Sequence, residues 1–187
     1  MSKLMRHQPI HRYLQHDGGG NANIVAYRTA GGGYWLTFLC REFESASLSN
    51  KTATFVESVD SRAMMAVLSS SLFWWFYYTR FDLFNLKDYM LFGFRFDYPK
   101  GTEIEARLVS LGAKLESLLL SGAVKYVIHS KTRGDQATYK YDNARAKPLL
   151  DQIDTVLAVH YGFSPEELDF IINYDIKYRM GTTSQEQ

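Results

Sequence analysis

The stretch that most constrains the fold is "SRAMMAVLSSSLFWWFYYT", Ser61 to Thr79, which contains no glycine or proline. Asp60 or Ser61 can cap its start, so the pattern predicts one long helix. The C-terminal half is apolar nearly all round, and such a helix must be buried on several sides. Consecutive aromatic residues on a helix point in different directions, which argues against a base-stacking platform. The sequence therefore predicts a buried aromatic core helix.

Turn signals and periodicity place the other elements around this helix. Glycine-rich breakers flank "IVAYRT" and precede "YWLTFLCREF", which predicts short early strands arranged as a meander. "FNLKDYMLFGFRFDYPKG" indicates a connector with a short strand. Thr102 and Glu105 have capping-box spacing and predict a second helix that ends near Ser121. "VKYVIHSK" and "ATYKYDN" predict a basic β-hairpin, and Pro148 and Ser164 begin two C-terminal helices. The predicted fold class is α+β: antiparallel strands with a buried aromatic helix, a basic β-hairpin and a C-terminal helix pair.

Length, cysteine content and hydropathy limit the protein class. A chain of 187 residues fits one domain with a small appendage, here residues 1–146 and a C-terminal helical segment 147–187. The single cysteine, Cys40, excludes an internal disulfide and a cysteine zinc cluster. The N-terminus lacks the apolar region of a signal peptide, and "LFWWFYY" is too short to span a bilayer. We therefore expect a cytoplasmic location and no membrane partner.

The net charge of +1 hides an uneven distribution. Residues 1–41 hold five basic residues and one acidic, and residues 122–148 hold six basic and two acidic. After Pro148 the chain has seven acidic and two basic residues. This pattern indicates a polyanion-binding face and a separate non-binding face. Chance segregation on a solvated surface predicts the same counts, so both interpretations stay open.

Catalytic and metal-binding patterns are weak. His7, His11 and His16 are spaced by four and five residues, but no third ligand follows with recognisable spacing, which favours surface histidines. The sequence has no GxSxG elbow, no phosphate-binding GxxxxGK[ST] loop and no GxGxxG turn. We therefore predict no metal site and no hydrolase or nucleotide-binding function.

Two motifs near the C-terminus suggest DNA enzymes. Pro165-Glu166 and Asp175-Ile176-Lys177 loosely match the acid and lysine pattern of a metal-dependent nuclease. Ser164, however, begins a helix there, which puts the acids on the wrong kind of element. "INYD" faintly suggests an adenine methyltransferase motif, but it lacks the two prolines that hold the flipped base. The chain by itself is therefore not expected to transfer methyl groups.

Three segments carry a resemblance to a known family. "KPLLDQIDTVLAVHYGFSPEELDFIINYDIKYRMG", Lys147 to Gly181, resembles the C-terminal end of large N6-adenine DNA methyltransferases, among them the bifunctional type II restriction–modification enzymes. "AVLSSSLFWWFYY" is similar to the "LNSSLFFWYF" helix of their target-recognition region, and "YRTAGGGYWL" resembles a strand–turn–strand ahead of it. The family's catalytic half, with its cofactor loop and NPPY-type motif, and its upstream nuclease segment are not found in these 187 residues. We therefore expect either a C-terminal piece of such an enzyme or a separately encoded specificity part.

The resemblance implies a target-recognition domain that docks on double-stranded DNA and selects the adenine for a methyltransferase active site. It implies the methyltransferase or nuclease portion of the parent enzyme as a partner, with S-adenosylmethionine and Mg²⁺ expected only in those catalytic parts. Basic or amide side chains on loops and hairpins can reach phosphates and base edges. On charge and turn position the candidates are Arg28, Tyr34, Arg41, Lys131, Arg133, Gln136, Lys140 and Arg145. A metal-dependent nuclease and a protein–protein adaptor remain the alternatives.

Overall fold

The early strands form a three-stranded antiparallel sheet. The computed structural model describes residues 2–15, 23–29, 36–45, 47–130 and 134–179. Strand β1 (Ile24–Arg28) lies at the centre, with β2 (Phe38–Leu39) and β3 (Asn50–Thr54) on either side. A meander would put the second strand in the middle, so that part of the prediction is wrong. Together with the helices below, the sheet confirms the α+β class.

The aromatic stretch is two helices instead of one. Helix α1 (Ser61–Ser69) ends at Ser70, which is extended with φ −61° and ψ 156°, and α2 (Ser71–Arg80) follows directly. The Ser70 hydroxyl accepts a hydrogen bond from the Phe73 backbone N–H at 3.0 Å. The prediction of a continuous helix fails because a serine hydroxyl can cap a new helix in place of the helical backbone bond. Burial of the stretch is as expected: Phe73 is fully buried, and Trp74 and Phe76 nearly so.

The second half of the chain is mainly helical. The predicted connector contains α3 (Asp88–Phe92), and the strand expected there is replaced by an isolated bridge to Pro9. Helix α4 (Glu103–Ser121) begins where predicted, with the Thr102 hydroxyl accepting from the Glu105 backbone N–H. Helices α5 (Lys147–Tyr161), α6 (Pro165–Asn173) and α7 (Ile176–Arg179) complete the described chain. Short 3₁₀ turns lie at Leu4–Arg6, Ile10–Tyr13 and Ala144–Ala146.

The core joins the central helices to the sheet. Helix α1 packs closely on α4, because a Cβ at Gly112 would lie 2.1 Å from the Arg62 carbonyl oxygen. Helix α5 contacts α1, α2 and α4, and its Ile153 and Leu157 are fully buried in the same cluster. The described part of the C-terminal segment therefore packs on the rest of the chain.

A buried carboxylate ties α5 to the start of α2. Asp154 is 1% exposed and accepts hydrogen bonds from the backbone N–H groups of Ser71 (3.2 Å) and Leu72 (3.1 Å). Farther along the chain, the Arg179 guanidinium lies 4.5 Å from the centre of the Trp74 ring. The Asp154 bonds thus hold α5 against the start of α2, and the Arg179–Trp74 contact docks the end of the described chain onto the same helix. Across the described ranges, no helix has both the length and the apolar character needed to cross a membrane.

Candidate nucleic-acid interface

A two-stranded antiparallel ribbon follows α4. Strand β4 (Val124–Ser130) pairs with β5 (Gly134–Lys140) in a register that runs from Val124 opposite Lys140 to Ser130 opposite Gly134. Gly134 has φ +69°, a left-handed conformation that glycine adopts readily, which agrees with the predicted turn glycine. The connecting residues 131–133, with the predicted Lys131 and Arg133, lie outside the described residues. The basic hairpin of the sequence prediction is confirmed as a β-ribbon.

Side chains alternate between the two faces of the ribbon. We name the two faces by their cross-strand pairs. The glutamine face carries Val124, Tyr126 and Ile128 opposite Lys140, Thr138 and Gln136. The histidine face carries Lys125, Val127 and His129 opposite Tyr139, Ala137 and Asp135. Two of the predicted site residues, Gln136 and Lys140, thus share one face.

Strand β4 exposes large apolar side chains to water. Val124 is 64% exposed, Ile128 50%, Val127 49% and Tyr126 44%. In the described structure β4 pairs only with β5, so its outer edge has no strand partner. On the neighbouring strand Thr138, opposite Tyr126, is buried and Gln136, opposite Ile128, is partly buried. A two-stranded ribbon has little independent stability in water, and clustered exposed apolar groups mark interaction surfaces. The ribbon therefore has the properties of a contact element.

Charge distinguishes the two faces. On the histidine face the Asp135 carboxylate lies 2.6 Å from Nδ1 of His129, and both side chains are largely exposed. Each face carries one exposed lysine, Lys125 on the histidine face and Lys140 on the glutamine face, and the glutamine face of the described ribbon has no carboxylate. A polyanion is repelled by an exposed carboxylate and attracted by an ammonium. The glutamine face is therefore the better match to nucleic acid.

Arg28 lies at the root of the ribbon, where it contacts both the first sheet and β5. Its guanidinium carbon is 4.5 Å from the centre of the Phe43 ring and 5.6 Å from that of Tyr141. Its Nη1 donates a hydrogen bond to the Tyr139 carbonyl at 3.2 Å. Within the described chain its Nε and Nη2 are buried without a hydrogen-bond partner. Arg28 therefore fixes the position of the ribbon on the sheet.

The remaining predicted DNA-contacting residues do not form one cluster with Arg28. Arg41 is exposed and forms a 3.3 Å ion pair with Glu44. Arg145 is exposed, with Nη1 3.5 Å from where a Cβ of Gly122 would lie, just before β4. Burial raises the pKa of Tyr141, which packs against Phe43 in the same region. Tyr34 lies outside the described residues. The structure thus brings Arg28 and Arg145 near the ribbon and leaves Arg41 in a local pair.

The apolar residues of β4 were absent from the sequence-based site. Tyr126, Val127 and Ile128 are consecutive, so they must occupy both faces of the strand. A sequence with apolar residues on both faces indicates either a fully buried strand or an exposed contact element. Only the structure, in which no further described strand pairs with β4, distinguishes the two.

Other parts of the molecule offer little chemistry. A polar hollow of about 780 Å³ contains Glu57, Glu105 and Glu116, and Cys40 lies on its wall. Burial raises the pKa of the Cys40 thiol to about 12, so the thiol is a poor nucleophile at neutral pH. Among the residues that the structure describes, no group of three histidine, cysteine or acidic side chains is placed to hold a metal ion.

Comparisons with protein-family models, curated proteins and solved structures gave no match.

Proposed function

We propose that this chain is the DNA-binding target-recognition part of an adenine-specific DNA methyltransferase or type II restriction–modification enzyme. The observation that carries the proposal is the β4–β5 ribbon, in which β4 and Lys140 are exposed and the glutamine face carries an amide, an ammonium and apolar groups with no carboxylate among its described residues. The resemblance of the C-terminal segment to those enzymes supplies the enzyme class. The chain does not catalyse a reaction by itself, and the methyltransferase portion supplies S-adenosylmethionine binding.

The ribbon suits the major groove of DNA in size and chemistry. That groove is about 12 Å wide and admits a two-stranded β-ribbon. A glutamine amide such as Gln136 can pair with N6 and N7 of adenine, and apolar groups such as Val124 and Ile128 can contact a thymine methyl. Lys140 can neutralise a phosphate. In this proposal Arg28 holds the ribbon in place and does not contact DNA.

Fluorescence anisotropy with a labelled mixed-sequence duplex, without metal, tests the proposal. We expect binding at low salt that weakens steeply as salt rises, because phosphate contacts release counterions. Lys140→Glu should weaken binding and lower the slope of log K against log salt by about 1. No binding of the wild-type chain at any salt concentration would contradict the proposal.

Lys100→Glu is the matched control for Lys140→Glu. Lys100 is exposed near the start of α4, beside the acidic hollow, whereas the ribbon follows the other end of that helix. A helix of 19 residues is about 28 Å long, so the two lysines are well separated. The control should leave DNA affinity nearly unchanged. Equal losses in both variants would indicate a general charge effect instead of a ribbon contact.

A protein–protein adaptor is the second candidate, because the exposed apolar groups of β4 also suit a protein partner. An adaptor would use Val124, Tyr126 and Ile128 without any need for Lys140. It predicts no salt-dependent DNA affinity, so the anisotropy experiment separates the two functions.

A further inference from the structure

A cavity with aromatic walls lies on the side of α2 that faces α6. It encloses about 300 Å³, and its lining residues are Leu4, Trp75, Phe163, Glu166, Glu167, Phe170 and Ile171. Leu4 and Ile171 are buried and form part of the core, whereas Phe170 is 54% exposed and Trp75 partly exposed. The Trp75 and Phe170 rings meet edge to face with centres 6.4 Å apart. The cavity is therefore an apolar site at the surface.

Carboxylates at its rim give the cavity a negative edge. Glu166 and Glu167 occupy the first turn of α6. Lys3 already uses one of them: its ammonium lies 2.6 Å from the Glu167 carboxylate and 6.0 Å from the centre of the Phe163 ring. Glu166 is exposed; a hydrogen bond with Ser164 lowers its pKa, and it forms no ion pair within the described chain. The rim of the cavity thus already holds the Lys3 ammonium at Glu167, and the Glu166 carboxylate can pair with a second cation.

We propose that this cavity binds a polypeptide segment that places an apolar side chain next to an arginine or lysine. The apolar side chain would fill the space between Trp75, Phe170 and Ile171, and the cation would pair with Glu166 at the rim. Apolar burial, cation–π attraction and ion pairing together favour such a segment over a neutral or acidic one. This binding site goes beyond the proposed function and does not depend on DNA binding.

A matched pair of small probes tests this inference on the full chain. N-acetyl-phenylalanyl-arginine amide carries both features, and its citrulline analogue has nearly the same shape without the charge. Binding is followed by the ¹H–¹⁵N signal of the Trp75 indole, assigned by its loss in Trp75→Phe, at up to about 10 mM probe. We expect saturable shifts with the arginine probe and about fivefold weaker binding of the citrulline probe.

Two variants separate the apolar and ionic parts of the site. Phe170→Ala should weaken both probes, and Glu166→Gln should remove most of the preference for arginine. Glu103→Gln, at an exposed first-turn glutamate of α4, is the matched control and should leave the preference unchanged. The inference is overturned if the Trp75 indole does not respond to the arginine probe. Equal affinity for the two probes in the wild-type chain would also overturn it.

Discussion

The buried carboxylate of Asp154 gives a sharp prediction about stability. Burial raises its pKa from the usual value near 3.8 to about 6. The backbone N–H groups of Ser71 and Leu72 and the charge of Arg179 favour the ionised form and oppose this rise, but burial has the larger effect. The folded protein therefore holds this proton more tightly than the unfolded chain does. Stability from this group is complete below about pH 4 and is lost as the pH rises through about 6.

The size of this effect follows from the pKa difference. A difference of about two pKa units at about 1.4 kcal/mol each gives a loss near 3 kcal/mol for the full transition, and about 2–3 kcal/mol between pH 4 and pH 7. Asn in place of Asp154 resembles the protonated carboxyl and does not titrate. We therefore expect the free energy of unfolding of Asp154→Asn, relative to wild type, to rise by about 2–3 kcal/mol over that pH range.

Urea denaturation of wild type and Asp154→Asn at pH 4, 5, 6 and 7 measures this difference. Subtracting the two curves cancels the other titrating groups, provided that the substitution leaves them in place. Asp151→Asn, one turn earlier on α5 and paired with Lys147 in a partly buried position, is the matched control and should show no such rise. If the difference in the free energy of unfolding between Asp154→Asn and wild type stays flat or falls as the pH rises, the reasoning is refuted. Such a result would mean that the N-terminus of α2 and Arg179 stabilise the ionised carboxylate more than its burial destabilises it.

Three further substitutions, one of them with a control, test the packing of α4 on α1, the buried His160 and the cap of α2. Gly112→Ala should destabilise the fold by about 1–3 kcal/mol in urea denaturation, because its Cβ would collide with the Arg62 carbonyl, whereas Gly122→Ala, with nearest atoms at 3.5 Å, should be tolerated. Burial and the neighbouring His7 lower the pKa of His160 to about 4, so the stability that His160 contributes should fall as pH drops from about 6.5 to 4, opposite in sign to the Asp154 contribution. Relative to wild type, His160→Gln should therefore gain stability in thermal melts as the pH falls, and a difference that does not change with pH would argue against this origin. Ser70→Ala should cost about 1 kcal/mol through the lost α2 cap, and an unchanged urea midpoint would contradict the capping role.

Local signals predicted the elements whose ends are set by nearby residues. Thr102 caps α4, Gly162 ends α5 with φ +66°, and Ser164 and Glu167 form a reciprocal capping box on α6. In each case the residues that set the boundary lie within a few positions of it, so sequence patterns suffice. The predicted helix starts after Thr102 and Ser164 are confirmed. Of the predicted Thr102–Glu105 capping box only the Thr102 side is formed, because the Glu105 carboxylate accepts from the Gly101 N–H instead, and the reciprocal box on α6 was not predicted.

Features that depend on distant contacts could not be predicted in the same way. The start of α2 is stabilised by Asp154, more than eighty positions away, and by Ser70, one of three serines in an apolar run. The central position of β1 depends on pairing between strands that are far apart in sequence. Arg28 was predicted from charge as a DNA contact, but its packing between Phe43 and Tyr141 appears only in three dimensions.

The most direct test of the proposed DNA interface is ¹H–¹⁵N shift mapping of the full chain during titration with a short duplex. We predict that the largest backbone shifts fall on Val124–Ile128 and on Gln136–Lys140, and that α6 is little affected. Saturable binding with shifts concentrated on α6 or around the acidic hollow, and none on the ribbon, would contradict it.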